Sequence, residues 1–293
     1  MADKPFGIKQ LDILGDGTPT IQSPNDLNLN ANTVAISTNL TVGNKLSITS
    51  TGIVTASSGV VTYFGDGSNL SGVGFTPDDQ ENLYAGTTAG NASDADTCFN
   101  IALGYKAGFS NCAGDNNVIL GCCAAYCLQS GNENIAIGDN AGKCLTTGIS
   151  NIFLGKYSGQ KNTTGSCNIF LGRYIGSQTE HTGNQNVFIG RGASEWNTSG
   201  SCNISIGCGA NRKNSTGDFN IALGAFAMRD GVTTGSNNIL LGQCAGSNVT
   251  TGSQNIALGK DAMKDGTVTG SRNIAIGENA ALCLAGGFYN VMF

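Results

Sequence analysis

A five-residue phrase, clearest as Asn134-Ile135-Ala136-Ile137-Gly138, recurs from Asn82 to the end of the chain. It opens at Asn82, Asn100, Asn117, Asn134, Asn151, Asn168, Asn186, Asn203, Asn220, Asn238, Asn255, Asn273 and, cut short, Asn290, so every step is 17 or 18 residues. A fixed step of that length specifies a solenoid: each repeat is one winding, and a winding buries its apolar residues only with its neighbours' help.

Counting each Asn as coil position one gives every later residue a place. Positions two and four are aliphatic, as in Ile101 and Leu103, Val118 and Leu120, Ile152 and Leu154, Ile256 and Leu258. Alternate residues of a strand share a face, so these two are expected to line the interior of the coil. Position three is then expected to point outward. It too is mostly apolar (Ala102, Ile119, Phe153, Phe170, Phe188, Leu240, with Ser205 the exception), and an outward strip of that kind calls for a covering partner. Phe153, Phe170, Phe188 and Leu240 are accordingly expected to face sister chains in a trimer.

The remaining positions describe turns. Position five is always glycine, which fits positive φ or a very close backbone approach, and position eight is usually Ala, small enough for a crowded corner. A Thr-Thr-Gly turn follows, as at Thr146 to Gly148, and the coils opening at Asn168, Asn220 and Asn255 carry their eighteenth residue in this half. The asparagines Asn100, Asn117, Asn134, Asn151, Asn168, Asn186, Asn203, Asn220, Asn238, Asn255 and Asn273 are expected to form a structural ladder, each amide bonding to a turn or to its neighbour in the stack. At about 4.8 Å per coil, twelve steps make a rod roughly 55 to 60 Å long.

Ahead of the repeats the rhythm differs. Short alternating pairs such as Leu27 and Leu29, Val34 and Ile36, Leu40 and Val42 are separated by Asn, Gly, Ser and Thr. Strands that short bury a core only by winding several copies about one axis. The expectation is an attachment segment over 1–20, an extended, intertwined β-fibre shaft over 21–80 and an all-β solenoid over 81–293.

Composition narrows the function. Only 12% of residues are charged, the net charge is −5, and no basic run offers a seat for nucleic acid. No secretory signal follows Met1, and no stretch nears the roughly 18 apolar residues that span a bilayer, so no membrane insertion is expected. The eleven cysteines follow the repeat and read as small buried thiols; Cys127 and Cys144, at one position in successive coils, are the pair placed to face each other. A CxxC pair is lacking at Cys122, Cys123 and Cys127, so no metal or other cofactor is expected.

Asn134-Ile135-Ala136-Ile137-Gly138-Asp139-Asn140-Ala141-Gly142 and its copies resemble the head repeats of trimeric autotransporter adhesins, which are trimeric parallel β-rolls. They are more similar still to repeats in tail-fibre-like proteins of phages that infect marine cyanobacteria, as are the segments Gly17 to Asn32 and Tyr63 to Leu70. The resemblance implies a homotrimeric virion appendage, assembled in the host cytoplasm, joined to tail or baseplate proteins through its N-terminus and concerned with attachment to a receptor on the host surface, a glycan among the candidates.

Other readings share parts of this pattern. A bacterial surface adhesin or extracellular filament subunit has the same physics at a different address. Stacked threonines at Thr146, Thr163, Thr198, Thr233 and Thr250 raise an ice-binding solenoid, although they run into glycine at a turn. A polysaccharide-cleaving enzyme needs paired carboxylates, and Asp139, Glu180, Glu195, Asp218, Asp230, Asp261, Asp265 and Glu278 are scattered, mostly in turns, so no catalytic residues are expected. Trp196 and His181, in outer turns with Glu180 and Glu195, are the candidates for receptor contact, an exposed Trp being able to stack on a sugar. Tyr157, Tyr174 and Phe226 at position seven read as packing residues.

Overall fold

The computed structural model describes residues 77–293, so the expected attachment segment (1–20) lies outside the described residues, as does the expected shaft (21–80) except for residues 77–80. From Leu83 to Met292 the chain is a parallel β-solenoid of about twelve coils, each about 17 residues long. Each coil contributes one short strand, from Leu83–Ala85 to Val291–Met292, and the strands stack in sequence order into one thirteen-stranded sheet. Every pairing is parallel and in phase with the repeat, so like lies over like: Ile135 on Ile152, Ala136 on Phe153, Ile137 on Leu154.

Backbone bonds run along the axis outside the strands too. The amide of Asn140 donates to the Cys122 carbonyl at 2.9 Å, and that of Cys144 to the Gln160 carbonyl at 3.0 Å. Turns that would be loose in a globular domain are therefore rungs of the same stack. The corners come from left-handed residues. Position five takes φ between 121 and 142° wherever the phrase closes, from Gly86 to Gly277. A Cβ on Gly138 would also sit 2.7 Å from the backbone of Gly155 in the next coil, so conformation and space both demand glycine there. Positions seven and seventeen turn with φ near 60° on ordinary residues such as Tyr157, Tyr174, Ser150 and Cys167. Strain of that kind, of order 1–3 kcal/mol per residue, persists because the coils above and below hold each corner in place.

The faces of the strand are the reverse of the sequence expectation. Position three is the interior: Ala102, Ile119, Ala136, Phe153, Phe170, Phe188, Leu240 and Ala257 are fully buried within the single chain. Phe153, Phe170, Phe188 and Leu240 therefore do not face sister chains, and positions two and four point outward. Side-chain alternation gives two faces without saying which is inside, and here both are apolar. Asn at position one settles the question, because it shares a face with position three and its amide reaches across the coil.

In several coils positions three and nine trade size across the interior. Where position three is Phe153, Phe170 or Leu240, position nine is Gly159, Gly176 or Gly246, and a Cβ on each would press into that side chain at 2.5, 3.0 and 2.6 Å. Where position three is Ala222 or Ala257, position nine is Met228 or Met263, both fully buried. Interiors are close-packed, so a large residue on one wall requires a small one opposite.

Candidate functional site

The asparagines form a continuous ladder inside the coil. The backbone amide and side-chain Nδ2 of Asn134 both donate to Oδ1 of Asn117, at 2.9 and 3.1 Å, and the same Nδ2 donates to the Gly148 carbonyl at 2.9 Å. Oδ1 to backbone amide bonds continue rung by rung from Asn82 to Asn290. Each asparagine closes its own coil and ties it to the next. No amide is left to meet a ligand.

Outside the sheet, positions two and four make two parallel columns of Ile, Leu and Val along its whole length. Ile101, Leu154, Ile206 and Ile276 are 36–40% exposed, and the others are mostly half-buried, shielded along the stack by their neighbours. With thirteen strands at about 4.8 Å and three residues across, the face covers roughly 600 Å². That is at the top of the range for the largest apolar patch on a monomer, about 300–600 Å².

His181 is not a surface residue, which corrects its placement as a receptor contact. The eighteenth residue of the Asn168 coil brings it inward, where it bridges in parallel with Asn162 and lies fully buried against Phe170 and Phe188. The Asn197 amide lies 3.1 Å from its Nδ1, and Nε2 has no partner. Burial outweighs the backbone bonds around it and holds the imidazole neutral, with a pKa of about 4. The same inward shift buries Thr233, which breaks the column of threonines that an ice-binding face requires.

Trp196 stays at the surface, 44% exposed. It lines a hollow of about 350 Å³ with Thr179, Thr198, Lys213, Ser215 and Val232. Hydroxyls surround the indole: Thr179 donates to the Asn197 carbonyl at 2.9 Å and Thr198 to that of Ser215 at 2.7 Å. An apolar ring face ringed by hydroxyls is a surface on which a sugar can stack.

The cysteines are also outside. All eleven are free thiols and none is buried, because positions six, seven, eleven, thirteen and seventeen, where they fall, are not part of the core in these coils. Burial, then the neighbouring Cys144, raises the Cys127 thiol above its ordinary pKa. Among the described residues no three His, Cys, Asp or Glu side chains are grouped to hold a metal.

Three turn carboxylates bind cations of an adjacent coil: Asp139 to Lys156 at 2.9 Å, Glu195 to Arg212 at 2.7 Å, Glu278 to Lys260 at 3.0 Å. Exposed pairs of this kind contribute about 0–1 kcal/mol each and serve the stack. The repeat pattern does not mark the arginines, although four of the chain's five, Arg173 and Arg191 at position six and Arg212 and Arg229 at position ten, fall in successive coils. Comparison of the chain with protein-family models, with curated proteins and with solved structures finds no match.

Proposed function

We propose that the protein is a structural rod, a homotrimeric fibre of a phage particle that joins the virion through its N-terminal part and attaches to the host surface. What carries the oligomeric reading is the aliphatic outer face of the sheet. Roughly 600 Å² per chain approaches the 800 Å² or so that each partner buries in a standard interface, and the fully buried centres of such interfaces are likewise apolar. Copies of the chain are the natural cover, since identical faces of equal length and rung spacing meet in register. Three is the number that the resemblance to fibre and adhesin repeats implies, and the virion address rests on the same resemblance.

The reading is non-enzymatic. Five outward carboxylates, Asp139, Glu195, Asp230, Asp261 and Glu278, are engaged with cations, and the ladder asparagines bond to backbone and to one another, which supports scaffolding. Trp196 and its ring of hydroxyls are the proposed receptor contact. Light-scattering mass of the purified full chain tests the assembly, with about three times the 29.8 kDa of one chain expected. A stable monomer overturns the proposal; a dimer keeps the covered face and rejects the trimer.

A further inference from the structure

Coil position seven forms a column on an outer corner, and its occupants change abruptly. Tyr157 and Tyr174 stack ring on ring, 5.3 Å apart with 9° between their planes. The next two coils carry Gly192 and Gly209, and the column resumes at Phe226. Tyr174 and Phe226 are three rungs apart, about 14 Å along the axis at about 4.8 Å per rung.

The backbone does not require those glycines. Tyr157, Tyr174 and Phe226 hold φ of 58, 61 and 61°, against 66 and 61° at Gly192 and Gly209. Packing does not require Gly192 either, since a Cβ there would meet nothing closer than Oε2 of Glu195 at 3.6 Å. At Gly209 the Phe226 ring leans over the gap, 3.1 Å from where a Cβ would stand. Two missing side chains leave a notch of about 370 Å³.

Guanidinium groups wall it, in a chain whose net charge is −5. Glu195 holds Arg212 at 2.7 Å and Asp230 holds Arg229 at 2.7 Å. Arg173, beside the notch, donates to the Tyr174 hydroxyl at 2.7 Å and lies over that ring. Arg191 differs from the two paired arginines. It is exposed, it lines the notch, and among the described residues no carboxylate lies within ion-pair distance of it.

We propose that this notch binds the acidic group of a saccharide, a carboxylate or sulfate ester carried on a sugar ring. Arg191 supplies an unneutralised fork that matches an oxyanion, and Arg212, fixed by Glu195, supplies a second oriented donor. Tyr174 and Phe226 flank the notch with aromatic carbon for the apolar side of the sugar. Its volume falls within the range of about 300–1,000 Å³ for small-ligand sites. The negative balance of the rest of the chain repels a long, uniformly charged polyanion, so an acidic residue within a largely neutral saccharide suits it best. Glu195 and Arg212 are followed directly by Trp196 and Lys213, so the indole hollow extends the surface for a longer saccharide. The biological sense of the site rests on the attachment reading, whereas binding is measured on the isolated protein.

Calorimetric titration of the full chain with a neutral oligosaccharide carrying a single glucuronate, the same oligosaccharide carrying a single sulfate ester, the matching uncharged oligosaccharide and inorganic sulfate tests this. Binding of one or both charged oligosaccharides is expected, with the uncharged one and inorganic sulfate at least about tenfold weaker. Arg191→Gln should weaken binding about tenfold, and Gly192→Tyr, which puts a ring into the notch at one of the two missing places, should abolish it. The unfolding temperature of Arg191→Gln should not change. No binding, equal binding of the uncharged oligosaccharide, sulfate binding as tight as the oligosaccharides, or Arg191→Gln titrating like the parent would each overturn the proposal. Mass measured on the same samples separates the two readings: an intact oligomer that binds nothing rejects the site and spares the rod, and a monomer that binds does the reverse.

Discussion

Each ladder asparagine does with one amide what a globular domain spreads over several residues. Asn151 accepts twice at Oδ1 from Asn168, at 3.0 and 3.1 Å, and its Nδ2 donates to the Gly165 carbonyl at 2.8 Å. Asn151→Ala strands the buried backbone amide of Asn168 and leaves the Gly165 carbonyl with the Asn162 amide alone, so a loss of about 1–3 kcal/mol is expected in denaturant unfolding. Asn151→Asp keeps the shape and the acceptor but buries a charge and removes the donor, and should be at least as damaging. His181 is the other residue whose chemistry sets a measurable property. Its folded pKa of about 4 lies below the ordinary value of 6.5, so the unfolded chain takes up the proton first. Its contribution is complete above about pH 6.5 and is lost as pH falls towards 4, by about 3 kcal/mol in all. His181→Gln should flatten that part of the stability profile while leaving the loss due to carboxylates.

At the scale of one coil, the trade between positions three and nine decides whether a winding fits its neighbours. The coil opening at Asn238 packs Leu240 over Gly246, between coils that pack Ala222 with Met228 and Ala257 with Met263. Leu240→Ala alone opens a cavity at a cost of about 2–5 kcal/mol. Gly246→Met alone overpacks, since its Cβ would lie 2.6 Å from the Leu240 side chain. Together they rebuild the core of the adjacent coils, and the backbone accepts a side chain because Met228 and Met263 turn with φ of 55 and 53° against 57° at Gly246. Unfolding of the double variant should show a loss well below the sum of the two singles, a coupling of about 1–3 kcal/mol. Additive losses would mean that the two positions do not share the space.

For the whole molecule the decisive surface is the sheet's outer face, whose two columns run from one end of the stack to the other. A single charge placed there tests the packed-face reading without touching the core. Leu154→Asp or Ile206→Asp, at positions already 36 and 38% exposed, should leave the solenoid folded by circular dichroism while shifting the mass towards the monomer. The same substitution at Thr147, exposed on the second turn, should change neither. A Leu154→Asp protein of unaltered mass would place the contact elsewhere.

The step of 17 or 18 residues, the parallel stack, the glycine corner and the asparagine ladder were all legible in the chain, because each is a local demand repeated until it leaves one solution. Which strand face is inside was not legible from alternation, since Ile-Ala-Ile and Ile-Phe-Leu are apolar on both faces; only closure of the coil, with the Asn amide reaching its own turn, decided it. That closure also carried His181 and Thr233 indoors, because an eighteenth residue shifts the inward position along the chain, and it opened a notch where Gly192 and Gly209 interrupt a column of rings. Order along the axis comes from the repeat. Inside and outside come from how one winding closes on itself, a property that no residue carries alone.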